Sequence, residues 1–99
     1  MSDNQDNMVI FDMTDAFIEV ANRLLKEDEQ DLGHVSTALR YAAARFSAYE
    51  AACKFPGLAM EKGRLQQWYA NQFTDMLDEN LTEQVASSGQ NFIVEMSEE

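Results

Sequence analysis

Hydrophobic residues recur every three or four positions along three successive stretches of the chain, which is the spacing of one face of an α-helix. The first repeat consists of Ile10, Met13, Phe17, Val20 and Leu24. The second consists of Val35, Leu39, Ala42, Phe46, Tyr49 and Cys53. The third consists of Leu65, Tyr69, Phe73, Met76, Leu77 and Leu81. No stretch alternates as a strand would, so the pattern predicts three helices over about residues 8–29, 33–55 and 58–86.

Two breaks separate the predicted helices. A charged run at 27–31 follows the first helix, and either Asp31 or Ser36 could cap the start of the second. Pro56-Gly57 ends the second helix, because the residue before a proline is pushed out of the helical region. Connections this short place consecutive helices antiparallel, which predicts an all-α bundle of three long helices with Phe46 in its core.

The second helix carries a further apolar stripe on roughly the opposite side from Phe46, where a bundle of three helices should be polar. The stripe consists of Tyr41, Ala44, Ala48, Ala51 and Phe55. Trp68 likewise points away from the apolar side of the third helix. A helix that is apolar nearly all round is usually buried. These six residues are therefore the candidate interface, and we expect a homodimer or another protein partner.

Charge is distributed unevenly over the 99 residues, whose net charge is −11. An acidic N-terminal arm is expected at 1–7, the bundle at 8–86 and a flexible acidic tail at 87–99. Phosphate binding needs a basic face, so nucleic acid and anionic membrane surfaces are not expected as partners. A single Cys, an acidic start and no membrane-length apolar run favour a cytoplasmic location.

The candidate chemistry of the chain is sparse. His34 and Cys53 are single residues of their kinds and lie about 28 Å apart if one helix holds both, too far for a catalytic pair. The Asp31-x-x-His34 spacing is half of a di-metal motif and has no second copy. We therefore expect no enzyme activity, no metal and no cofactor. An alternative function is small-molecule or anion binding, for which the residues are Arg40, Arg45, Tyr41 and Tyr49.

Three segments resemble a known family. They are Leu39–Tyr49 (LRYAAARFSAY), Phe73–Leu81 (FTDMLDENL) and Phe17–Asn22. The chain resembles, over about residues 10–85, a small proteobacterial family catalogued as domain of unknown function 3144. The resemblance implies a cytoplasmic, all-helical protein without an assigned activity, and it supplies no catalytic residues. Together these observations predict an uncharacterised acidic helical protein that acts as an interaction module through helix–helix contacts.

Overall fold

Three helices account for nearly all of the chain. The computed structural model describes the backbone of residues 3–98 and the side chains of residues 8–87. The helices are α1 (Asp3–Lys26), α2 (Leu32–Lys54) and α3 (Leu58–Glu98). The described backbone contains no strand, so the prediction of an all-α fold is confirmed.

The outer ends of α1 and α3 lie further out than the sequence pattern predicts. α1 begins at Asp3 instead of residue 8, and α3 continues to Glu98 instead of ending at 86. The run ASSGQN at 86–91 contains one glycine, which costs about 1 kcal/mol in a helix, and no proline. Such a run weakens a helix without stopping it. The side chains of the predicted arm (1–7) and of tail residues 88–99 lie outside the described residues.

The first connection is closed by backbone bonds and by a capping carboxylate. The Gln30 N–H donates to the Leu24 carbonyl at 3.0 Å, while Glu29 between them adopts the left-handed conformation with φ 53°. The Asp31 carboxylate then accepts a hydrogen bond from the His34 N–H at 3.0 Å. This geometry is that of a helix N-cap. Of the two caps that the sequence allows, the structure selects Asp31.

The chain divides into two compact units, Met1–Tyr49 and Glu50–Glu99. In the first unit, Val35 is buried at the start of α2. Ala21, Leu24 and Leu25 are half-buried at the end of α1, whereas every α1 residue over 8–20 is exposed. Burial in this unit is therefore greatest beside the α1–α2 connection.

In the second unit, the buried residues Ala51 and Leu65 lie on either side of the α2–α3 connection. Phe55, which lies between them in the sequence, is half-buried. The centroid of its ring is 5.6 Å from the central carbon of the Arg64 guanidinium. Tyr69 is also half-buried, whereas every residue over 70–87 is exposed. Burial in this unit again ends within a few turns of the connection.

The buried residues of α2 lie near its two ends and belong to different stripes. Val35, near the start, is on the stripe predicted to form the core, and Ala51, near the end, is on the stripe predicted to form an interface. Between them Ser47 is half-buried, whereas Leu39 and Ala43 are exposed. Neither stripe is therefore buried along its whole length.

The prediction that Phe46 lies in the core is wrong for the single chain, in which this side chain is 71% exposed. Among the side chains that the structure describes, Phe46 is one of twenty large hydrophobic ones that are exposed, and three residues are buried. The two connections decide which sides of the helices meet, and the buried residues of α2 are Val35 and Ala51.

Replacing Asp31 with Ala should lower the free energy of unfolding by about 1 kcal/mol, because the His34 N–H loses its acceptor. Urea unfolding monitored by circular dichroism measures the change. Asp31→Asn should retain most of the stability, and Asp28→Ala is the matched control for the loss of charge. Equal effects of Asp31→Ala and Asp28→Ala would contradict a capping role.

Candidate interaction surface

The outer side of α2 carries an open groove. One wall is the row Ala38, Ala42 and Phe46, and the other is the row Tyr41, Arg45 and Tyr49. Residues within each wall are four apart, and facing residues are three apart. Rows of side chains spaced by four form ridges on a helix, and the ridges of one helix pack into the grooves between the ridges of another. All six lining residues are exposed.

Aromatic rings and one guanidinium form the surface of the groove. The Arg45 guanidinium lies 5.2 Å from the centroid of the Tyr41 ring, within the range of a cation–π contact. The Phe46 and Tyr49 rings are 5.8 Å apart and tilted by 47°. Among the described side chains, ion pairs join Lys54 to Glu50 and Arg64 to Glu61, and Arg45 has no carboxylate partner.

The structure brings together three of the four residues predicted for anion binding. Tyr41, Arg45 and Tyr49 form one wall of the groove. Arg40 does not line it, because its guanidinium donates to the Ser36 hydroxyl at 2.7 Å and to the Thr37 hydroxyl at 3.2 Å. The predicted set therefore does not form one cluster.

The residues predicted as an interface divide into two groups. Tyr41, Ala44, Ala48 and Trp68 are exposed. Ala51 is only 4% exposed and Phe55 is half-buried, because both lie beside the α2–α3 connection. These two residues already pack within the chain, so the open part of the predicted surface is confined to the other four. Their role in an interface stays a prediction.

A second exposed apolar surface lies on α3, on the hydrophobic repeat that the sequence pattern assigns to the inner side of the third helix. Four side chains spaced by four form a ridge between 44% and 56% exposed: Phe73, Leu77, Leu81 and Val85. The same spacing is visible in the sequence, and only the exposure of the whole ridge required the structure. On a neighbouring row, Asn80 donates to the Met76 carbonyl at 2.8 Å, so its amide is satisfied within the helix.

The residues considered for metal binding or catalysis lie apart in the described part of the chain. No group of three or more His, Cys, Asp or Glu residues there could hold a metal ion. His34 is exposed at the start of α2, where Asp31 binds its backbone, and Cys53 is exposed near the end of the same helix. Asp31 therefore acts in this structure as a helix cap.

A hydrogen-bonded triad fastens the end of α2 to α3. The Tyr69 hydroxyl donates to one oxygen of the Glu50 carboxylate at 2.7 Å, and the Lys54 ammonium contacts the other at 2.9 Å. The bond from Lys54 and that from Tyr69 lower the pKa of Glu50 below its ordinary value. The same bond to Glu50 raises the pKa of the Tyr69 hydroxyl.

These shifts predict how the triad contributes to stability across the pH range. A lowered carboxyl pKa stabilises the fold above the ordinary Glu pKa, and this contribution is lost as pH falls through the lowered value. A raised phenol pKa stabilises the fold below the ordinary Tyr pKa, and this contribution is lost as pH rises through the raised value.

Tyr69→Phe should raise the pKa of Glu50 toward its ordinary value and weaken the dependence of stability on acid and on alkali. The reason is that the carboxylate keeps Lys54 but loses the phenol donor. NMR titration of the Glu50 carboxyl carbon measures the pKa, and thermal melts at several pH values measure stability. Tyr49→Phe, whose hydroxyl has no such bond, is the control. An unchanged Glu50 pKa in Tyr69→Phe would show that the bond is absent in solution.

Within the described residues, none of the helices is long and apolar enough to cross a membrane. No curated protein and no solved structure matches the chain. The sequence does match, over residues 10–85, the family described as "Protein of unknown function (DUF3144)". This range contains the groove of α2, the ridge of α3 and both connections. The protein is therefore a member of the DUF3144 family.

Proposed function

We propose that the protein is a small non-enzymatic assembly module whose helices pack against a second copy of the chain. In this homodimer, the exposed apolar faces of the helices of the two copies pack together as an antiparallel bundle. The proposal includes no metal, cofactor or nucleic-acid partner, and it places the protein in the cytoplasm.

The observation that carries the proposal is the amount of uncovered apolar surface. Among the described residues, twenty large hydrophobic side chains are exposed and only three hydrophobic residues are buried. The exposed ones are found on all three helices. Contiguous exposed apolar surface of this kind marks protein–protein interaction sites.

A second candidate function, binding of a small anion or carboxylate, draws on Arg45, which has no carboxylate partner among the described side chains. Its support is weaker, because Arg40 is held by Ser36 and Thr37 and the groove is open. A thermal-shift screen of anions at fixed protein concentration separates the two functions. Stabilisation by a compound without a change in mass favours binding, whereas a melting temperature that rises with protein concentration favours assembly.

Sedimentation velocity at micromolar concentrations should find a dimer, and Ala48→Glu should convert it to monomer while most of the helicity is kept. Ala48 is exposed and lies beside the wall formed by Tyr41, Arg45 and Tyr49, so a charge there faces an apolar contact. Asn71→Glu adds the same charge one turn before Asp75 on α3, keeps an acceptor for the Gln67 amide, and should leave the dimer intact. A wild-type chain that is monomeric at high micromolar concentration would overturn the proposal.

Phe46→Ala should destabilise the protein by an amount that depends on its concentration. In a monomer the loss should be below about 1 kcal/mol, because the side chain is 71% exposed. In the dimer the same truncation leaves a cavity and should cost about 3 kcal/mol. Denaturant unfolding at two protein concentrations a hundredfold apart distinguishes these values. An equally small loss at both concentrations would show that Phe46 is outside any contact.

A further inference from the structure

We infer that each copy inserts the ridge of its α3 (Phe73, Leu77, Leu81 and Val85) into the α2 groove of the other copy. Two-fold symmetry requires that this contact is made twice. The α3 of each copy packs in the α2 groove of its partner. The inference rests on the proposed assembly and specifies which helices meet.

The shapes of the two surfaces correspond. The groove lies between two α2 rows whose members are four residues apart, and the α3 ridge is itself a row with that spacing. Packing of such rows into one another is the commonest form of helix–helix contact. Small residues, Ala38 and Ala42, stand at one wall and allow a second helix to approach closely.

The charges of the helices select this pairing over pairing of like helices. α2 holds Arg40, Arg45 and Lys54 against the single acid Glu50 and carries a net charge of +2. α3 has a net charge of −5 and α1 a net charge of −3. Packing α2 on a second α2, or α3 on a second α3, places like charges together, which opposes association. α2 against α3 joins opposite charges.

Within this pairing, one acid on α3 is placed to meet Arg45. The α3 ridge is flanked by the row Ala70, Thr74, Asp78 and Thr82. The other acids of this part of the helix, Asp75, Glu79 and Glu83, share the row on the far side. Asp78 is thus the carboxylate beside the ridge, and Arg45 is the cation in the wall of the groove.

α1 is also acidic and apolar, but it is a poorer occupant of the groove. Its row Val9, Met13 and Phe17 continues into Ala21, which is already half-buried beside the first connection. In α3, every residue over 70–87 is exposed. Among the side chains that the structure describes, the continuous exposed stretch is therefore longer on α3 (70–87) than on α1 (8–20).

The test reverses the charge of Arg45 in one variant and the charge of Asp78 in another, and then mixes the two variants. Arg45→Glu and Asp78→Arg should each weaken the homodimer by about tenfold or more, because each places like charges together at both contacts. A mixture of the two variants should dimerise again as a heterodimer, because both of its contacts then pair opposite charges. Sedimentation velocity with one variant carrying a mass tag identifies the mixed species. Asp75→Arg, on the far row of α3, makes the same charge change and is the control.

Two further variants exclude poor folding and the α1 alternative as explanations of the result. The double variant Arg45→Glu/Asp78→Arg should dimerise with itself and keep the wild-type circular dichroism, which covers the case in which a single variant folds poorly. Asp12→Arg should not restore dimerisation when it is mixed with Arg45→Glu, and restoration would assign the groove to α1.

The outcomes separate this inference from the proposed function. A wild-type monomer at all accessible concentrations overturns both. A wild-type dimer whose mixed variants do not recover, or whose single variants assemble normally, overturns the pairing of α3 with α2 and leaves the assembly function standing.

Discussion

The helices of this protein are covered by their own chain mainly beside the two connections, and the rest of the structure follows from that limit. Over residues 8–87, Val35, Ala51 and Leu65 are the buried ones, and each lies within a few turns of a connection. Beyond these positions the helices keep apolar side chains in water. Such surface stabilises a fold only when something removes it from water. A chain with this distribution obtains little stability from its own core.

The connections owe their geometry to a few residues. Asp31 caps α2, and Glu29 adopts a left-handed backbone conformation that residues other than glycine rarely adopt. Pro56-Gly57 ends α2, and the Gly57 carbonyl accepts hydrogen bonds from the first turn of α3. These features fix which sides of the helices meet. The apolar surface left on the other sides is therefore set by the turns as much as by the hydrophobic pattern.

The charges of the helices favour some contacts between the uncovered surfaces over others. The positive helix, α2, lies in sequence between two negative ones. Hydrophobic contact alone does not choose among partners, because burial of apolar area is not directional. Opposite charges bordering the groove of α2 and the ridge of α3 favour one pairing of helices and disfavour the like pairs. Specificity in the proposed assembly thus depends on few side chains, Arg45 and Asp78 above all.

The amino-acid sequence by itself determined the helical class, the two breaks and the family, because periodicity, proline and local motifs act through neighbouring residues. It also contained both alternatives for the cap of α2. Only the tertiary structure decided that Asp31 is the cap, that Phe46 is exposed and that Ala51 is buried. An apolar stripe indicates which side of a helix is to be buried, but it does not indicate which other helix or chain packs against that side. Val35 and Ala51, the buried residues in the described part of α2, lie on different stripes, because burial follows the two connections and not the hydrophobic spacing along the helix.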